Sequence, residues 1–171
     1  MKNNPFVSFI IPTLNAQRYL EGCLASIRKQ SYPLNMYEIL VIDGGSTDET
    51  IKVAKKYHAK VINNPFIDQE SGKSLGIQDS KGEILVLMDS DNEIIKKDWL
   101  RKMVLPLIDN PRLFGVETEY YPNKGESIFN TYCMLLHIAD PFSRMLAANL
   151  GKRPKKYYVE YLIPEGESYP L

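Results

Sequence analysis

Three stretches of this chain share one design. Residues 6–12 (F-V-S-F-I-I-P), 38–42 (E-I-L-V-I) and 83–88 (E-I-L-V-L-M) are short apolar runs, and the residues just beyond them are Thr13, Asp43 and Asp89. A strand with one wet face alternates apolar and polar residues, whereas an unbroken run suits a strand buried on both faces. Helical patterns lie between the runs. Leu20, Leu24 and Ile27 space an apolar face, with Cys23 beside them and Asn15 expected as the cap. Ser46 and Glu49 have capping-box spacing for a helix running to about residue 57. Residues 60–63 (K-V-I-N) predict a short strand, and 70–80 a weak helix that Gly82 ends.

This alternation predicts an α/β fold, Rossmann-like, with a mainly parallel sheet and helices on both faces. Right-handed crossovers give the order 3-2-1, with the fourth strand on the other side of the first. A crevice then opens at the carboxyl ends of strands one and four. Thr13, Asp43, Asp89 and Asp91 converge there, where open α/β sheets bind ligands.

After Asp91 the pattern changes. Residues 98–109 predict a helix kinked or broken at Pro106, and 113–119 a strand. Residues 127–149 predict a long aromatic-rich helix broken near Pro141. The tail, with Pro164, Gly166 and Pro170, shows no evident final element. Two regions are expected: an α/β domain over 1–120, and a helical and irregular continuation over 121–171.

Lys plus Arg and Asp plus Glu both number 21 in 171 residues, so net charge exerts no pull toward nucleic acid. No apolar run reaches the roughly 18 residues of a membrane span, and the N-terminus lacks a signal peptide's apolar core. Cys23 and Cys133 sit in apolar helical patterns, as buried free thiols do, which fits a reducing cytoplasm. His58 and His137 have no metal-ligand spacing. The apolar stretch from Thr131 to Leu150 is followed by Lys152, Arg153, Lys155 and Lys156. It reads either as a core helix with a solvated loop or as a peripheral contact with the inner face of an anionic membrane.

Asp89-Ser90-Asp91 carries the clearest chemistry. Carboxylate oxygens suit Mg²⁺ or Mn²⁺, which bridge protein acids to a nucleotide diphosphate. The plainer reading is a strand end with solvated acids. An EF-hand loop starting at Asp89 is excluded, because Ile94 and Leu100 stand where its Gly and Glu belong. A magnesium-dependent phosphatase of the haloacid-dehalogenase type also places D-x-D after an apolar strand, with Asp89 as nucleophile and Asp91 as acid/base. Glu93 stands where that family has Thr. A non-catalytic nucleotide-binding domain is a third reading. Asp43 can accept a hydrogen bond from a base N–H, and Gly44 and Gly45 allow close approach. Residues 12–15 are P-T-L-N rather than a G-x-G-x-x-G fingerprint, which argues against hydride transfer.

Three segments together carry a family likeness: V-S-F-I-I-P-T-L-N, E-I-L-V-I-D-G-G-S-T-D-E-T and G-K-S-L-G-I-Q-D-S-K-G-E-I-L-V-L-M-D-S-D-N. From residue 5 to about 95 the chain resembles the N-terminal, nucleotide-sugar-binding part of a family-two, GT-A-fold inverting glycosyltransferase. The resemblance implies that Thr13, with Pro12 and Asn15 beside it, meets the nucleobase or ribose. Asp43, with Gly45, would hold the base. Lys73 stands where relatives often carry Arg near the diphosphate, and Ser74 where many have Asn. Asp89, Ser90 and Asp91 would form the D-x-D motif, with Asp91 as metal ligand and Asp89 nearer the ribose or the metal's waters. Mn²⁺ or Mg²⁺ is the implied cofactor. The implied donor is a UDP-sugar, or else a GDP-sugar, and the implied acceptor is saccharide or lipid-linked. The implied role is in cell-envelope polysaccharide or glycolipid synthesis. The family's general base lies well downstream of D-x-D. Glu160, Glu165 and Glu167 match no such context, so a truncated chain with its base beyond residue 171 is expected.

Overall fold

The computed structural model describes residues 4–116 and the backbone of 160–162. The chain divides into two compact units, Met1–Val104 and Leu105–Leu171. In the first, β1 (Val7–Thr13), β2 (Tyr37–Asp43), β3 (Lys60–Asn63) and β4 (Ile84–Leu87) form one sheet in the order β3-β2-β1-β4. All three pairings are parallel. The order, the parallel sense and the crevice position are those the sequence predicts.

Helices α1 (Gln17–Arg28), α2 (Thr50–Lys56) and α3 (Gln69–Asp79) make the crossovers. Right-handed connections place α1 and α2 on one face, and α3, which crosses back to β4, on the other. Side chains alternate across a strand, and at the central strands both faces are dry. Ile10, Leu40 and Ile42 form a cluster with Ile62 and Leu75, the last from α3. Phe9, Ile11, Ile39 and Val41 face the opposite way and are also buried, as are Leu20, Leu24 and Ile27 of α1.

Gly76 sets how closely α3 approaches the sheet. A Cβ there would collide with Ile10 Cγ2 and lie 3.2 Å from Ile42 Cδ1. Gly72, one turn earlier, faces Pro12 in the same way at 3.2 Å. The close approach seats the N-terminus of α3 beside the carboxyl end of β1.

Several local expectations give way to longer-range contacts. Asn15 does not cap α1. It has φ 49° and its Oδ1 accepts the Thr47 N–H at 2.9 Å. The N–H groups that open α1 are satisfied from the β2–α2 loop and the first residue of α2 instead: Ala16 donates to Thr50 Oγ1 at 2.7 Å and Gln17 to Asp48 Oδ2 at 3.1 Å. The Ser46–Glu49 capping box does not form either. Helix α2 begins at Thr50, and Ser46 Oγ accepts the Asn15 N–H at 2.8 Å. Two loops thus cap each other, which no local pattern encodes. Gly82 does not end α3, which stops at Asp79. Instead the Gly82 N–H donates to Ser8 Oγ at 2.8 Å, and a Cβ there would lie 2.5 Å from Ser8 N.

Strand β4 is not buried throughout. Leu85 and Leu87, which share one face of β4, are 39% and 50% exposed, and among the described residues β4 pairs only with β1. Helix α4 (Trp99–Asp109) continues through Pro106, so of the kink or break expected there the break does not occur. The proline removes only the partner of the Lys102 carbonyl, and Lys102 is exposed to water. In the second unit, β5 (Leu113–Val116) pairs antiparallel with β6 (Glu160–Leu162), so the tail does contain a strand. The expected helix over 127–149, Cys133, His137, the basic run at 152–156, Glu165 and Glu167 lie outside the described residues.

Because the Ile10 methyl is held in a fully buried core, Gly76→Val overpacks it. Urea denaturation is expected to show a loss of about 1–3 kcal/mol. An unchanged midpoint would contradict the close helix–sheet approach.

Candidate functional site

A cavity of about 500 Å³ opens at the carboxyl ends of β1 and β4, and Thr13, Asn15, Tyr19, Gln69, Asp89 and Asp91 are among the residues that line it. Pro12 and Ser90 line it too, so six of the sequence-predicted residues meet in one place. Asp43 stands beside them through register: Thr13 pairs with Asp43 across β1 and β2, and the Gly44 N–H donates to the Thr13 carbonyl at 2.9 Å. Lys73 does not line the cavity. It sits on α3, where its ammonium meets Glu70 at 3.2 Å.

Asp43 is buried and its two oxygens differ. Oδ2 accepts the N–H groups of Gly45 at 3.1 Å and Ser46 at 3.0 Å. That turn requires φ +92° at residue 45, a backbone that glycine adopts without strain. Oδ1 is buried with no hydrogen-bond partner, and so is Thr13 Oγ1 next to it. An unsatisfied buried polar atom costs about 1–3 kcal/mol. Two of them sit at paired strand ends, Thr13 on β1 and Asp43 on β2. Ile67, at φ 71°, brings its carbonyl to 3.0 Å from where a Gly44 Cβ would sit, and its side chain lines the cavity.

The acidic pair projects from a turn. The Asn92 N–H donates to the Asp89 carbonyl at 3.2 Å, and the Cys23 thiol donates to the same carbonyl at 3.8 Å. Helix α1 and its C-terminal end grip the segment beyond the pair. The Ile94 N–H donates to Ser26 Oγ at 2.9 Å, and Gln30 Nε2 to the Lys96 carbonyl at 3.1 Å. The Gln69 amide donates to Asp89 Oδ1 from the first turn of α3. Burial pushes the Cys23 thiol up to about 12, and the charges of Asp91, Glu93 and Asp89 push the same way. The acids therefore create a field near α1 that disfavours further negative charge.

Asp89 and Asp91 offer the oxygen donors that hard cations take. Among the described residues no third His, Cys, Asp or Glu gathers with them. A bound Mg²⁺ or Mn²⁺ would draw its remaining oxygens from water and a ligand phosphate, the way Mg²⁺ is commonly held. The donor set fits on those terms.

Six cavity residues are not among the predicted site residues: Leu14, Ala16, Tyr19, Ile42, Ile67 and Gln69. Leu14 lies inside the P-T-L-N stretch, and Gln69 lies just before the helix predicted over 70–80. Nothing local separates either from an ordinary surface residue.

Fold and site together define an α/β domain with a ligand cleft at its topological switch point, and the chain belongs to glycosyl transferase family 2, which it matches over residues 8–161. The glycosyltransferase AglE of Haloferax volcanii is 34% identical over 129 residues, covering 71% of this chain and 42% of that protein. A dolichyl N-acetyl-alpha-D-glucosaminyl phosphate 3-beta-D-2,3-diacetamido-2,3-dideoxy-beta-D-glucuronosyltransferase of Methanococcus voltae is 35% identical over 122 residues, covering 65% of this chain and 38% of that one. Among solved structures, Staphylococcus aureus TarS in complex with UDP-GlcNAc matches with TM-score 0.62 at 24% identity, over 72% of this chain and 36% of TarS. The mannosyltransferase PcManGT of Pyrobaculum calidifontis, in complex with GDP-Man and Mn²⁺, matches with TM-score 0.65 at 22% identity, over 90% of this chain and 48% of its own. These likenesses show the GT-A fold. The chain spans less than half the length of each of these four proteins. The phosphatase alternative finds no support in this family membership.

The raised Cys23 value has a direct consequence. The thiolate is the reactive form, so a thiol held near 12 stays protonated at pH 8. Iodoacetamide at pH 8 is expected to spare Cys23 in the folded protein and modify it in urea, as read by peptide mass mapping. Equal labelling in both states would contradict the burial.

Proposed function

We propose that this chain is the donor-binding part of an inverting glycosyltransferase that moves a sugar from a nucleotide-diphosphate donor to an acceptor hydroxyl with the aid of Mn²⁺ or Mg²⁺. The observation that carries this reading is electrostatic. Among the described residues lining the cavity two are aspartates and none is Lys or Arg. A diphosphate brought beside Asp89 and Asp91 meets like charge at close range, where the local dielectric magnifies repulsion. A divalent cation between them removes that conflict and neutralises charge on the departing diphosphate. Asp91 is the proposed metal ligand, with Asp89 turned toward the ribose or the metal's waters. Pro12, Thr13, Asn15 and Ser90 shape the nucleotide's bed, and Lys73 lies outside the cavity wall.

Asp43 favours uracil over guanine. Uracil offers one imide N–H, which the single unpartnered oxygen Oδ1 matches. Guanine offers N1–H and an N2 amino group side by side, which suit a carboxylate with both oxygens open. Oδ2 of Asp43 already holds the Gly45 and Ser46 N–H groups. A UDP-sugar is therefore the proposed donor, with a GDP-sugar second. The named TarS relative is a poly(ribitol-phosphate) beta-N-acetylglucosaminyltransferase, and the Methanococcus voltae relative acts on a dolichyl-linked sugar phosphate by its name. These names support a saccharide or lipid-linked acceptor and a role in cell-envelope polysaccharide or glycolipid synthesis. Work at the cytoplasmic face of the membrane, by peripheral contact, fits such acceptors. No helix among the described residues is long and apolar enough to cross a membrane. Inversion requires a general base at the acceptor hydroxyl. The proposed base lies beyond residue 171.

Asp43→Asn tests the base assignment. The asparagine oxygen can keep the turn N–H groups while its NH₂ faces the base and repels the imide N–H. UDP affinity, measured by calorimetry with Mn²⁺ present, is expected to fall about tenfold or more, given that a hydrogen bond to a charged group is worth about 1.5–3 kcal/mol. Stability should hold. Tighter binding of GDP than UDP by the native chain, or indifference of UDP to this change, would contradict it.

A further inference from the structure

We propose that Gln69 is a positioning residue for the acidic pair, holding Asp89 so that Asp91 is left to meet the cation. The inference rests on the nucleotide-sugar reading of the cleft. Gln69 lines the cavity, and its side-chain amide donates to Asp89 Oδ1. A solvent-facing Gln–Asp contact is ordinarily worth little, because both side chains must be frozen to make it. Here both ends stand on backbone that is already fixed. Gln69 opens α3, whose first turn is capped by Asp68 Oδ1 accepting the Ser71 N–H at 2.8 Å. That helix is pressed onto β1 and β2 at Gly72 and Gly76. Asp89 is fixed from the other side, its carbonyl taken by the Cys23 thiol and the Asn92 N–H. Gln69 to Asp89 is thus a bridge between two opposed elements across the cleft mouth.

The chemistry of the donor matters. An amide orients one Asp89 oxygen while adding no charge, so the pair keeps its full attraction for a divalent cation. An ammonium in its place would act as a built-in counter-ion and compete with the metal. Asp91 has no hydrogen-bond partner among the described residues, so its two oxygens are open. The bridge therefore makes the two carboxylates unequal: Asp89 is held and partly occupied, and Asp91 is available. Partners of this kind, which orient metal-binding carboxylates without touching the metal, typically change metal affinity by about 10–100-fold when removed.

Gln69→Met removes the donor while keeping an unbranched side chain of similar length. With Mn²⁺ present, UDP affinity by calorimetry is expected to fall roughly tenfold. Uridine affinity by NMR titration, and the thermal midpoint, should match the native protein. A purely structural role would move the midpoint or weaken uridine and UDP alike, and either result would overturn the proposal, as would unchanged UDP affinity. A native protein that binds neither UDP nor uridine would overturn the nucleotide reading itself, and this inference with it.

Discussion

Everything in the site depends on β1. All seven of its residues are buried, and it hydrogen-bonds to parallel strands on both sides, β2 and β4. A central strand with parallel neighbours forces every carboxyl end to the same edge of the sheet. Register then fixes which residues meet: Thr13 lies level with Asp43, and Ile10 pairs with Leu87, just short of the acidic pair. The dry faces of β1 anchor that edge. Polar atoms can be left without partners there because the apolar packing of Phe9, Ile10 and Ile11 bears the cost.

The cleft is built around an electrostatic gap. Asp89, Asp91 and nearby Glu93 all add to the burial that holds the Cys23 thiol in its neutral form. Among the described residues the cavity wall supplies no Lys or Arg to balance them. Elsewhere on the unit, charges are matched in ordinary surface pairs, such as Lys56 with Glu21 at 2.6 Å and Lys102 with Asp98 at 2.6 Å. Exposed pairs of that kind contribute little to stability. The acidic pair at the switch-point crevice is the one for which the proposed function calls on a cation.

The sequence made legible the features that depend on period and placement. Apolar runs too continuous for a half-wet strand gave the parallel sheet, and crossover handedness gave its order and the crevice. Asp89-Ser90-Asp91 stood out because a carboxylate pair at a strand end is chemically specific. The features that stayed hidden depend on contacts between distant segments. Asn15 and Ser46 have the composition of helix caps, yet each is used by the other's loop. Gly82 has the look of a helix terminator but is required by its approach to Ser8. The exposure of Leu85 and Leu87 on one face of β4 is something an unbroken apolar run cannot reveal. Gln69 becomes meaningful only once α3 is seated opposite Asp89. The strand at Glu160–Leu162 is stabilised by its pairing with Leu113–Val116, not by any strong signal of its own.

The central claim is that this cleft accepts a nucleoside diphosphate only together with a divalent cation. Calorimetric titration of UDP into the protein, once with Mn²⁺ and once with EDTA, tests it most directly. The account predicts saturable binding with Mn²⁺ that is lost or weakened by at least about tenfold in EDTA. Binding of equal strength in EDTA would contradict it, because the aspartates would then tolerate the diphosphate without a cation between them.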